Sequence, residues 1–134
     1  MIAADSSVLV PALLTSHEFH QACHESAGLI DSAIGHALVE TYAVLTRLPQ
    51  PYTVPPGHAS TAVRSYSSNT LVLQGDEVTD AIDRFVLARA SGGASYDALI
   101  AVTAKQHAAT LLTRDERAAE VYDRVGADVR WVST

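Results

Sequence analysis

Residues 95–115 limit what this chain can fold into more than any other stretch. Ala98, Leu99, Ile100, Ala101, Val102 and Ala104 form a run too apolar for a surface helix, which predicts a helix buried on most sides. Residues 110–113 then read as a short buried strand, and Arg114, Asp115 and Glu116 follow where the chain leaves it. A buried helix feeding a buried strand is the building unit of a sheet covered by helices. Asp97 is predicted in the first turn of that helix, with Ser95 as its N-cap, where the helix dipole is expected to keep the carboxylate ionised without a cationic partner. Asp115 falls at the carboxyl end of the strand, the edge at which open α/β sheets bind their ligands.

The same alternation runs through the rest of the chain. Residues 1–4 predict a first strand that stops abruptly at Asp5, and the apolar run from Val8 to Leu14 predicts a helix capped by Ser6 or Ser7, with Pro11 tolerable only near its first turn. An amphipathic helix is expected over 17–28, with the His17, His20 and His24 series on its solvated face, and a brief strand over 32–35. From His36 a helix runs until Pro49 stops it, with Leu38, Tyr42 and Leu45 on one face. Glu40 lies off that stripe among Ala37, Ala43 and Val44. A proline-rich loop leads to a helix over 58–66, a strand over 71–73 and a helix over 76–90, where Val78, Ala81, Ile82, Phe85 and Val86 keep helical spacing. A helix over 116–124 and a strand over 129–132 complete the pattern. The expected fold is therefore α/β: one domain over residues 1–134, with a mostly parallel central sheet and helices on both faces.

Composition removes several function classes. The apolar runs are far shorter than the roughly 18 residues of a membrane span, and no basic region precedes the first of them, so a cytoplasmic protein without membrane partners is expected. The single Cys23 excludes an internal disulfide and a cysteine-built zinc site. A net charge of −6 argues against a broad basic surface for nucleic acid, but not against a protein that meets phosphate through metal ions. Of the nine basic residues only Lys105 is lysine, and among the arginines Arg47, Arg89, Arg114 and Arg117 are candidates for phosphate contact. The sequence HEFHQ at 17–21 lacks the second histidine of a zincin helix, GASYD at 93–97 lacks the last glycine of a nucleophile elbow, and no phosphate-binding glycine loop is present. Asp5-Ser6-Ser7 lacks the second aspartate expected of a haloacid-dehalogenase-like phosphatase.

Among fifteen acids, Asp5, Glu40, Asp97 and Asp115 stand apart, because two follow apolar strands, one opens a buried helix and one interrupts an apolar helical surface. If their strands are neighbours, Asp5 and Asp115 converge at one sheet edge. Carboxylates gathered there raise one another's pKa values, a conflict that Mg²⁺ or Mn²⁺ removes by taking oxygen ligands.

The chain resembles the PIN-domain ribonucleases, in particular the VapC toxins of bacterial toxin–antitoxin pairs, over nearly its whole length. Asp5-Ser6-Ser7-Val8-Leu9-Val10 is similar to the first acidic motif of that family, Leu38-Val39-Glu40 to the second, Ser95-Tyr96-Asp97-Ala98-Leu99-Ile100-Ala101 to the third and Leu112-Thr113-Arg114-Asp115 to the fourth. The resemblance implies a Rossmann-like α/β/α sandwich that cuts RNA with Mg²⁺ or Mn²⁺ held by Asp5, Glu40, Asp97 and Asp115, with Ser7 and Thr113 as supporting polar groups. It further implies a homodimer blocked by a cognate protein antitoxin. The competing expectation is a non-catalytic PIN-like interaction domain whose acidic pocket receives a basic partner segment.

Overall fold

In the computed structural model, which describes residues 1–134, strands and helices alternate as β1 (Ile2–Ala4), α1 (Ser6–Leu13), α2 (His20–Ala27), β2 (Ala33–Ile34), α3 (Gly35–Arg47), α4 (Pro56–Arg64), β3 (Thr70–Leu71), α5 (Asp76–Leu87), α6 (Ala94–Gln106), β4 (Thr110–Thr113), α7 (Glu116–Val125) and β5 (Asp128–Trp131). Every strand pairing is parallel: β4 lies between β1 and β5, and β2 pairs with β3. The amides of Asp31 and Ser32 donate to the Ile2 carbonyl at 3.0 and 3.1 Å, which brings β2 alongside the other edge of β1. The chain thus builds outward from β1 in one direction and then returns to build from β1 in the other. The crevice between β1 and β4 is the switch point, where the two strand ends diverge.

Strand alternation divides the interior in two. Ala3 and Leu111 face one core, with Ile100, Ala101 and Ala104 of α6 and Ala118 and Tyr122 of α7. Ala4 and Leu112, one residue further on, face the other core, with Val8, Leu9 and Ala12 of α1 and Cys23 and Ala27 of α2. Helices therefore cover both faces, as the sequence pattern predicts. Complete burial of a side chain such as Leu111 stabilises the fold by about 1.5–3 kcal/mol. No helix is long and apolar enough to cross a membrane.

Several local expectations are corrected. Pro11 is the sixth residue of α1 rather than a first-turn residue, so the helix runs through it at the cost of the bond that an amide there would donate to the Ser7 carbonyl. Helix α2 starts at His20; His17 instead accepts the Phe19 amide at 3.1 Å in the turn before it, and His20 bonds the Pro11 carbonyl at 2.8 Å, which fastens α2 to α1. Helix α6 starts at Ala94 with Gly93 at its cap, which puts Ser95 inside the helix and not at the N-cap. Helix α4 begins at Pro56, where proline's fixed φ suits a first turn, and β3 pairs at Thr70–Leu71 rather than 71–73. In α5 only Ala81 is buried, while Val78, Ile82 and Val86 form an exposed apolar stripe.

Candidate functional site

The site is built where β1 and β4 end side by side. Ala4 is in register with Leu112, and the Asp5 amide continues the ladder to the Leu112 carbonyl at 3.1 Å. Asp5 is therefore carried to the sheet edge beside Thr113, and it caps α1 with its own carboxylate. It is only 3% exposed, and all its acceptor capacity is used. Oδ1 takes the Ser7 amide at 3.0 Å and the Ser7 hydroxyl at 2.5 Å, while Oδ2 takes the Thr113 hydroxyl at 2.6 Å and the Tyr122 phenol at 2.8 Å. Burial pushes the Asp5 carboxyl above its usual range, and these hydrogen bonds oppose the shift. The Tyr122 phenol is pushed far up in turn, by burial and by the Asp5 charge, so it remains a donor.

Glu40 stands one turn into α3, half-buried. Its Oε1 lies 3.0 Å from His36 Nε2 and its Oε2 accepts the Ser6 hydroxyl at 3.4 Å. Beyond the small apolar neighbours expected from its helical position, Glu40 thus has His36, four residues back on the same helix, as its partner. His36 stacks in turn on Tyr96, with ring centroids 5.5 Å apart and planes 2° from parallel, which ties α3 to the start of α6 beside Asp97. Asp115 is the exposed N-cap of α7, accepting the amides of Arg117 at 3.0 Å and Ala118 at 3.1 Å.

Asp97 is the exception. Burial and the charges of Asp115, Glu40 and Asp5 raise its carboxyl to about 6, only His36 works in the opposite direction, and no hydrogen bond contributes. The favourable helix dipole expected at this position is thus outweighed, and the carboxyl ionises at a higher pH than an ordinary aspartate. A dipole worth about 0.3–1 kcal/mol is smaller than the cost of a half-buried charge facing three of its own sign. Asp115, Glu40 and Asp5 are thus electrostatic neighbours of Asp97.

Neighbours are not yet a cage. No three His, Cys, Asp or Glu side chains are disposed to hold a metal ion, because Asp5, Glu40 and Asp115 are each turned to a protein donor. By donor chemistry the set nevertheless suits a hard divalent cation: four carboxylates, two adjoining hydroxyls and no thiolate. Tyr122 is the contributor that sequence reasoning missed. Its signal was available, since a tyrosine on the buried stripe of α7 needs a partner for its hydroxyl.

A parallel α/β sandwich with acids at its switch point defines a class, and residues 2–124 match the PIN domain: the chain belongs to that family. It is similar to Ribonuclease VapC40 of Mycobacterium tuberculosis (strain CDC 1551 / Oshkosh), 44% identical over 138 residues that cover 99% of this chain and 100% of that protein. Ribonuclease VapC27 of Mycobacterium tuberculosis (strain ATCC 25618 / H37Rv) is 40% identical over 135 residues, covering 96% of this chain and 94% of that protein. Both of these relatives, matched over nearly their whole length, are VapC ribonucleases.

Proposed function

We propose that this protein is a divalent-metal-dependent endoribonuclease, the toxin of a toxin–antitoxin pair, with Asp5, Glu40, Asp97 and Asp115 as its metal-binding and catalytic carboxylates. The observation that carries this reading is Asp97, an acid beside three others at the ligand edge of the sheet, with no hydrogen-bond donor of its own and only His36 to offset their charge. Mg²⁺, or Mn²⁺ in its place, fits these oxygen donors, and when bound such an ion lowers the pKa of water and neutralises charge developing on a phosphate.

The chain's own groups do the positioning. Ser7 and Thr113 fix the Asp5 carboxylate against β4, and Tyr122 holds its second oxygen from below. His36 and Ser6 set the direction of Glu40. The α7 amides hold Asp115 at the rim. Asp97 is left without a donor of its own, which makes it the carboxylate most responsive to a cation.

Homodimerisation in the cytoplasm and inhibition by a cognate antitoxin belong to the same reading. The exposed stripe of Val78, Ile82 and Val86 on α5 supports a second copy as partner, since a monomer gains nothing from leaving it in water. One observation favours the non-catalytic interaction domain instead, namely that Asp5 is already saturated by protein donors. Incubation of total RNA with the protein separates the two. Cleavage that needs Mg²⁺ or Mn²⁺, stops in EDTA and is largely lost in a folded Asp97→Asn variant supports the nuclease; cleavage that persists in EDTA, or no cleavage under any metal, refutes it.

A further inference from the structure

On the side of Asp5 and Glu40 formed by Ser6 and Ser7 lies a cavity of about 380 Å³. Its lining includes Ser6, Ser7, His17, Phe19, Val44 and Arg114, and it contains no carboxylate, although the chain has fifteen acids and a net charge of −6. The Ser6 and Ser7 hydroxyls donate inward to Glu40 and Asp5, so the cavity and the acid cluster share a wall one side chain thick.

Arg114 is the cation of this wall. Its backbone amide donates to the Ser7 hydroxyl at 2.8 Å, which locks it to the site. Its guanidinium lies 4.1 Å from the Phe19 ring centroid and 5.4 Å from that of Trp131, and Nη1 donates to the Val132 carbonyl. Two aromatic faces and one carbonyl fix the plane of the fork without neutralising it, because no carboxylate pairs with it. A half-buried guanidinium held flat, with N–H groups to spare, suits bidentate contact with a phosphate.

We propose that Arg114 and this cavity form a phosphate subsite of the RNA substrate, next to the carboxylate centre and on the side of Ser6 and Ser7. The proposal rests on the nuclease reading and adds the point at which an acidic protein grips an anionic chain. An RNA strand laid across the β1/β4 edge has one phosphate at the carboxylates, and a neighbouring phosphate reaches the fork. A protein partner that offers an arginine to the acids is disfavoured in the cavity itself, where it meets a like charge.

The test is equilibrium binding of a short unstructured RNA at several salt concentrations, in Mg²⁺ and on the Asp97→Asn background, with RNA integrity checked on a gel. Arg114→Gln is expected to weaken binding on the order of tenfold and to make the slope of log K against log salt shallower by about 0.7, the signature of one lost phosphate contact on a single strand. Arg114→Lys should keep the slope and recover only part of the affinity. Arg64→Gln, which removes an exposed charge at the end of α4, should change neither quantity. A structural role for Arg114 lowers the melting temperature but does not move the slope. If Arg114→Gln folds poorly, the lysine variant decides, because a slope lost there despite a native melting curve overturns the subsite.

An unchanged slope and affinity in Arg114→Gln, or an equal loss in Arg64→Gln, also overturns it. So does Arg114→Gln binding that fails for the antitoxin and not for RNA. If the parent does not cleave RNA while the binding pattern holds, the nuclease reading falls and the subsite stands. If the parent cleaves and the pattern is absent, only the subsite falls.

Discussion

The Tyr122 phenol donates to Asp5 Oδ2 at 2.8 Å inside the fold, so the most buried acid of the site hangs from a helix on the far side of the sheet. Asp5 and its partners leave no buried side-chain polar atom without a bond. Tyr122→Phe removes one donor and keeps the ring. It should cost about 1–3 kcal/mol in urea unfolding, the cost of leaving a buried acceptor short of a partner. A loss below ~0.5 kcal/mol means that Asp5 finds another donor and the phenol is replaceable.

Asp97 sets a pH dependence whose sign is fixed. Its carboxyl stands at about 6 in the native protein against 3.8 as the ordinary value, so across that window the folded state holds more proton than the unfolded one. The stabilisation is complete below 3.8 and is lost as pH rises through about 6. Asp5 is shifted the same way and adds to it. In EDTA, melting temperature should therefore fall between these pH values, and Asp97→Asn should flatten the fall and melt higher than the parent at neutral pH. Mn²⁺ at a hundredfold excess over its Kd should return about 2.7 kcal/mol to the parent and less to the variant. A parent that melts identically with and without Mn²⁺ refutes the site.

Asp115 carries two tasks that substitution can separate. As an N-cap it accepts two amides of α7, which asparagine also does well. Asp115→Asn should thus stay within about 0.5 kcal/mol of the parent in stability while losing most metal-dependent cleavage, whereas Asp115→Ala should also lose about 1 kcal/mol through the missing cap. Full cleavage by the asparagine variant makes Asp115 a cap and nothing more.

Ile82 is 53% exposed at the middle of the α5 stripe. Ile82→Glu should convert a dimer to a monomer in sedimentation velocity, with little change in the melting temperature of the monomer itself. A parent that sediments as a monomer, or a variant that remains dimeric, removes α5 from the interface.

What the sequence made legible is what short-range pattern encodes. Residues 110–113 announce β4, the acids at 5 and 115 mark where strands end, and the helices recur in their expected order with several of their ends shifted. Partner choice across the fold is not encoded that way. Nothing near Tyr122 in sequence points to Asp5, and nothing near Arg114 points to Phe19. Asp97 shows the same limit: its local position favours ionisation, but its neighbours come from three other elements and oppose it. In α5 the periodicity of Val78, Ile82 and Val86 reports an apolar face correctly and cannot say that the chain itself leaves that face uncovered.

The pairing of β1 with β4 has a consequence for how the protein comes into being. Asp5 leaves the ribosome well before its partners, because Thr113 follows it by 108 residues and Tyr122 by 117. Until β4 and α7 emerge, the first strand has no ladder on its β4 side and its acid has only Ser7 to hold it. A growing chain therefore carries an incomplete centre until Thr113 and Tyr122 have both emerged, and competence arrives abruptly with them. Any partner that must intercept the finished protein has its moment set by the position of Tyr122 in the message.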